Sequence, residues 1–127
     1  MIGSDGYAVA PTGRALRARP HPRSYGCCPR VLGYYCRERK ILGLEAAVRK
    51  MTSMPADQAG IEGRGRVARS RKADLVAFDA ASVRDLATFE EPQKYPEGIV
   101  HVLVNGTLVV ENGAATGARP GRVLRKS

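Results

Sequence analysis

Asn105-Gly106 stands between two β-rich apolar runs, Ile99 to Val104 and Thr107 to Glu111, and this dipeptide restricts the fold of the 127-residue chain more than any other feature. A two-residue hairpin turn needs a positive φ at both central positions, which both residues tolerate, so the two runs are expected to pair antiparallel. Gly113 is expected to end the second run. Upstream, Leu75-Val76-Ala77-Phe78 reads as a third apolar strand between Asp74 and Asp79. Val83 to Tyr95 reads as a polar loop, with Pro92 and Pro96 breaking any helix. Three strands with one hairpin do not bury two faces by themselves, which is a first sign of incompleteness. The tail from Gly117 to Ser127 is basic and expected to be loosely held.

Before Ala73 the pattern is different. Met1 to Arg23 reads as one short apolar segment and then a long loop, punctuated by Pro11, Gly13, Pro20 and Pro22 and studded with Arg14, Arg17 and Arg19. Ser24 to Lys40 has helical content, because Val31, Leu32, Tyr35 and Cys36 fall near i, i+1, i+4 and i+5. Pro29 suits the first turn of that helix and Gly33 weakens its middle. Leu42 to Met51 is a second helix with Leu44, Ala47, Val48 and Met51 on one face; Thr52 to Pro55 stops it, and Pro55 to Ala59 opens another short turn. Residues 60 to 72 are a Gly- and Arg-rich connection. Within it Gly63-Arg64-Gly65-Arg66 resembles an RG element, lacks the rest of a dinucleotide fingerprint, and is read as a solvated linker.

Charge divides along the same line. Residues 1–72 hold 15 Lys and Arg against 5 Asp and Glu, while residues 73–127 hold 6 against 7, giving the net +9. A basic half beside a neutral one is compatible with a nucleic-acid or membrane-surface patch, with a surface that binds carboxylates, or with a piece of a larger chain that carries the acids elsewhere. No apolar run approaches the ~20 residues that span a bilayer, and Met1-Ile2-Gly3-Ser4-Asp5-Gly6 lacks the basic and apolar regions of a secretory signal. Three cysteines cannot all pair internally, and the adjacent Cys27-Cys28 make a strained disulfide, so the expected compartment is the reducing cytoplasm. Two His, Cys27-Cys28 and Cys36 are too few and badly spaced for a metal site built from local ligands.

A few residues have the character of a reactive site. Asp5 sits among small residues just past the apolar Met1-Ile2, which suits either a catalytic strand-to-loop junction or an ordinary Asp-Gly turn. His21-Pro22-Arg23-Ser24-Tyr25-Gly26 gathers a His, an Arg and a Tyr; the planar fork of Arg23 suits bidentate carboxylate or phosphate binding, or else it is a solvated Arg beside a helix. Cys27-Cys28 has only His21 as a nearby base, and structural thiols are the commoner case. His101 lies inside an apolar strand and reads as a packed or edge histidine. Asn105-Gly106-Thr107 matches the glycosylation sequon but is better explained as the hairpin turn.

Taken in order, these segments resemble the C-terminal portion of the N-acyl-D-amino-acid deacylases (D-aminoacylases) of the amidohydrolase superfamily. The resemblance runs through Ile2 to Gly6, His21 to Gly26, Pro29 to Gly33, Leu44 to Ala56, Ala73 to Asp79, Thr88-Phe89, Tyr95 to Ile99, Val102 to Gly106 and Thr116 to Arg125. Cys27-Cys28 stands where the family has Thr-Phe, and the usual Gly shortly before the Ala-Asp strand is absent at Arg71-Lys72. The resemblance implies an α/β fragment: residues 1–72 as the last strand, loop and helices of a metal-dependent (β/α)₈ barrel, and residues 73–127 as the C-terminal strands of a small β-sandwich. It implies a hydrolase cleaving the amide of N-acyl-D-amino acids, with Asp5 as the catalytic proton-transferring carboxylate and Arg23 gripping the substrate α-carboxylate. It also implies zinc as the cofactor of the complete enzyme, with the metal ligands on earlier strands that have no counterpart here. A barrel of this kind takes ~250 residues, so the chain is expected to be inactive alone, as a truncated product or one part of a split enzyme complemented by an N-terminal fragment.

Two other readings compete. One is a small basic module binding nucleic acid through Arg14, Arg17, Arg19, Arg64, Arg66 and Arg69, against which stand the scarcity of aromatics and the placement of these arginines in loops. The other is a non-functional, partly folded remnant whose exposed strand edges would invite aggregation.

Overall fold

The computed structural model describes residues 1–9, 13 and 19–125. These form two compact units that interleave along the chain: one comprises Met1–Ile2, Glu45–Asp79 and the segment from Ile99 onward, the other Gly3–Leu44 and Ala80–Gly98.

The first unit holds an antiparallel sheet of four strands in the order of the sequence, β1 (Leu75–Phe78), β2 (Ile99–Val104), β3 (Thr107–Glu111) and β4 (Ala114–Ala115). The first three coincide with the runs expected from the sequence. Asn105 and Gly106 have φ of 50° and 82°, and Val104 pairs with Thr107 across them. The fourth strand was not expected. Gly113 does not end the sheet but turns it, because Asn112 and Gly113 (φ 49° and 79°) repeat the Asn-Gly geometry and bring Ala114 opposite Glu111. The register shifts once in each of the first two pairings, between Ala77 and Phe78 and between Val102 and Leu103. No residue of the four strands is fully buried, although β1 to β3 are dominated by Val, Leu, Ile and Phe.

A polar cluster ties the hairpin turn to the segments around it. The Asp74 carboxylate accepts from the Asn105 main-chain N–H at 2.8 Å and pairs with Arg64. Arg64 also donates to the Asn105 side-chain oxygen, whose amide nitrogen donates to Pro120 O at 2.8 Å. Arg64, with only 15% of its side chain exposed, is therefore an anchor and not part of a solvated linker. Gly65 packs just as closely: a Cβ there would lie 2.8 Å from that of Ala56. The tail, expected to be loose, is fastened at Pro120. Arg66 makes a two-point contact with Asp57, 2.7 Å to each oxygen.

In the same unit lie α2 (Leu44–Met51, whose first residue belongs to the other unit) and α3 (Ser53–Ala59). On the apolar face of α2 only Ala47 is fully buried, while Val48 is exposed. Gly60, at φ 66°, ends α3 in the left-handed conformation, with its N–H bonded to Asp57 O. Met1 to Asp5, which the family resemblance implies as the last barrel strand, lies in no strand; Ile2 N–H donates instead to Lys50 O at 3.0 Å. A strand needs a neighbour to take up its alternate main-chain groups, and no described segment pairs with this one.

The second unit is built on α1 (Arg23–Arg30), which continues as a π-helical segment over Val31–Glu38. The helix starts at Arg23, after Pro22, so Pro29 lies well inside it and not in its first turn. Pro29 has no N–H to give to the carbonyl four residues back and its ring crowds that carbonyl. The change of helical pitch follows directly after it; wide turns of this kind commonly absorb such a disturbance.

The buried apolar centre of this unit is Val31, Leu32, Val83 and Ala87. Val83, placed by its sequence neighbourhood in a polar loop, is 1% exposed. Two glycines allow this. A Cβ on Gly33 would lie 2.5 Å from Val83 O, and one on Gly98 (φ 77°) would lie 2.5 Å from Val83 Cα. Gly33 is thus a point of close approach and more than a weak spot in a helix. Arg37 donates to Val83 O at 2.7 Å and to Ala80 O at 3.2 Å, and Arg84 and Glu97 form a main-chain bridge reinforced by a 2.6 Å ion pair.

Two predictions follow from this packing. Gly98→Ala combines a left-handed backbone with a steric overlap and should cost about 2–4 kcal/mol; Gly121→Ala, in open space, should cost almost nothing, and urea unfolding of the two variants provides the comparison. For Asp74, burial opposes ionisation, but the Asn105 N–H and the Arg64 guanidinium outweigh it and hold the carboxyl below its ordinary value. Its stabilisation of the hairpin is then complete above about pH 4 and is lost as the pH falls through the lower folded value. An acid titration followed at the Asn105 amide by NMR should show the resonance moving only below that point.

Candidate functional site

Asp5 and Arg23 are 18 positions apart in sequence, and the second unit brings them into direct contact. Arg23 Nη2 lies 2.7 Å from Asp5 Oδ2, and Arg23 Nε donates to the Asp5 main-chain oxygen at 2.9 Å. Arg23 is the first residue of α1, and its main-chain N–H is held by His21 Nδ1. Asp5 has φ 48°, a left-handed conformation that Asp tolerates better than most residues and that occurs here in a turn of small residues. Ser4 Oγ accepts from Gly6 N–H within that turn, and Ser24 Oγ accepts from Tyr7 N–H. Gly6 packs closely here, since a Cβ there would lie 3.0 Å from Ser24 Cα. The Asp5 side chain is 88% exposed and that of Arg23 41%, so both are open to a ligand.

His21 supports the same corner. Its Nδ1 accepts the Arg23 main-chain N–H at 3.1 Å, and its ring meets Phe89 edge-on at 5.0 Å. A hollow of about 440 Å³ is lined by Ala8, Val9, Ser24, Tyr25 and Tyr95. The Tyr25 hydroxyl is buried with no hydrogen-bond partner among the described residues, and desolvation, with a smaller push from Tyr95, raises its pKa. Phe89 and Tyr95, which belong to segments that carry the family resemblance, lie in the stretch read as a polar loop, and nothing in their local sequence marks them as site residues.

The remaining candidates have structural surroundings. Desolvation, then the neighbouring Cys27 thiol, push the Cys28 thiol upward, which is the wrong direction for a nucleophile. His101 is half-buried on β2 and its Nδ1 accepts from Asn112 N–H at 3.3 Å. Of the arginines considered for nucleic acid, Arg64 and Arg66 are committed to carboxylates, Arg19 and Arg69 are exposed, and Arg14 and Arg17 lie outside the described residues.

Among the described residues, no three or more His, Cys, Asp or Glu side chains are grouped to hold a metal ion. His21 and His101 each use Nδ1 to accept a main-chain N–H, and Asp5 is paired with Arg23. The donor set of the described residues does not fit a zinc site of its own. No helix of the described residues is long and apolar enough to cross a membrane.

The described residues thus comprise a small antiparallel sheet, short helices and a carboxylate–guanidinium pair at a helix start. The chain belongs to the amidohydrolase family, whose model matches residues 3–110. It is 49% identical over 126 residues to an N-acyl-D-glutamate deacylase and 47% identical over 127 residues to a D-aminoacylase, both from Alcaligenes xylosoxydans xylosoxydans. These matches cover 99% and 100% of this chain but 24% and 25% of the relatives, so the chain spans about a quarter of their length. Among solved structures it resembles the N-acyl-D-glutamate deacylase of Bordetella bronchiseptica, complexed with zinc and a phosphonate inhibitor that mimics the tetrahedral intermediate. There the TM-score is 0.82 at 43% identity, over 98% of this chain and 25% of that one.

One prediction tests the thiols. At pH 7, iodoacetamide should label Cys28 more slowly than it labels a free cysteine, as mass spectrometry of timed samples would show; faster labelling would mark a reactive thiolate.

Proposed function

We propose that this chain carries part of the active site of an N-acyl-D-amino-acid deacylase, with Asp5 as the proton-transferring carboxylate and Arg23 as the binder of the substrate α-carboxylate. The observation that carries the reading is the 2.7 Å contact between these two side chains, in a chain close in sequence to deacylases over nearly its whole length. In the reaction, water adds to the amide carbonyl, a C–O bond forms and the C–N bond breaks. Asp5 takes a proton from the water and passes it to the leaving nitrogen, so that a carboxylic acid and a free D-amino acid depart. A positioned carboxylate in this role contributes on the order of 10²–10⁴-fold. The fork of Arg23 matches a carboxylate in two-point geometry, which a point charge would not do.

In this proposal residues 1–72 are the last strand, loop and helices of a (β/α)₈ barrel, the strand forming at Met1 to Asp5 only when the neighbouring barrel strands are present to pair with it, and residues 73–127 are the C-terminal strands of a small β-sandwich. The zinc ligands come from polypeptide other than the described residues, and the natural partner is a complementing segment that supplies them. The half-exposed apolar strands β1 to β3 support this, since an apolar sheet face favours cover. Three free cysteines are in keeping with a reducing cytoplasm. The nucleic-acid reading is not favoured, because Arg64 and Arg66 already neutralise carboxylates.

The test is hydrolysis of N-acetyl-D-methionine in the presence of zinc, followed as free amine. The chain alone should give no turnover. Co-expressed with the polypeptide equivalent to the other three-quarters of a relative, it should give turnover that Asp5→Asn reduces by about 10²–10⁴-fold. Turnover unaffected by Asp5→Asn would remove Asp5 from the reaction.

A further inference from the structure

We infer that Arg23 serves two carboxylates at once, holding Asp5 on one edge of its guanidinium while the other edge receives the substrate α-carboxylate. The inference rests on the deacylase reading and goes past it: Arg23 becomes a positioning residue for the proton-transferring group as well as a substrate contact.

A guanidinium is a flat fork with five N–H bonds, and these form two separate two-point edges, one from Nε and Nη2 and one from Nη1 and Nη2. Asp5 occupies only the first. Nε donates to the Asp5 main-chain oxygen and Nη2 meets Oδ2, so one residue fills one edge with its backbone and its side chain together. Both contacts are made to the one residue, whose φ is 48°. Along the second edge, Nη1 has no acceptor among the described residues, and the exposure of the side chain leaves it reachable.

The base of the fork is held in place by its surroundings. The Arg23 main-chain N–H is bonded to His21 Nδ1, the residue opens α1, and the neighbouring Ser24 Oγ accepts the Tyr7 N–H. A substrate acid docking end-on would then lie in the plane of the same guanidinium that fixes Asp5. Binding the substrate and orienting the carboxylate that acts on its amide become one geometric event. A lysine could not do this, because an ammonium has no second planar edge.

The full-length chain, labelled with ¹⁵N, provides the test through the Arg23 Nε–Hε resonance, identified by its loss in Arg23→Lys. N-acetyl-D-methionine is titrated in, with N-acetyl-D-methioninamide, which has no carboxylate, as the comparison. The acid should shift the Arg23 Nη signals while exchange of Nε–Hε with water changes by less than about twofold, because the Asp5 edge stays closed. The amide should leave all these signals in place. If the acid instead speeds Nε–Hε exchange about tenfold or more, Asp5 is displaced and the two carboxylates compete for one edge. That outcome overturns the two-edge inference and leaves the deacylase reading intact. If the acid moves no Arg23 signal, or the amide moves them equally, Arg23 does not bind the α-carboxylate, and the inference falls together with that part of the reading.

Discussion

The second unit depends on how closely the main chain of Val83 is approached from two sides. The π-helical segment passes so near on one side, and the backbone at Gly98 on the other, that neither glycine position has room for a side chain. This contact excludes water from the middle of a segment that is otherwise polar, and Arg37 satisfies the carbonyls that would be left without partners there. With the far end of the helix secured in this way, its first residue is held too. Arg23 therefore meets Asp5 from a fixed base, which is what a site of only two side chains requires.

Arginine is used throughout the chain as an internal connector. Besides Arg23, Arg30 reaches Asp85 and lies over the Tyr34 ring at 4.7 Å, while Arg64, Arg66 and Arg84 each hold a carboxylate. The strong positive charge thus looks different in three dimensions from its appearance in the sequence. Part of it is paired with nearby acids within each unit. Most of these pairs are exposed and modest in energy; Arg64 is the exception, because its partners also organise a turn and the tail.

What could be read from the sequence follows the range of the interactions involved. β1, β2 and β3 were legible because short apolar runs and Asn-Gly chemistry act over a few residues. β4 carried the same signal at Asn112-Gly113, but two short alanines after it did not look like a strand. The helix at Arg23 was found with its proline misplaced, since Pro29 suits a first turn by composition and only packing shows otherwise. Val83 could not be identified, because its burial comes from Gly33 and Gly98, which lie 50 and 15 positions away. Asp5 and Arg23 were legible as candidates through their resemblance to a family, whereas their contact, the left-handed turn and the two-point grip needed coordinates.

The two Asn-Gly turns also govern the order in which the sheet is assembled. β2, β3 and β4 are joined by links of two residues, so they can zip together with almost no loop to close, on the microsecond scale typical of hairpins. β1 is separated from β2 by residues 79–98, nearly all of which belong to the other compact unit. The last strand to join is therefore the first in sequence, and it must wait for a long loop to close.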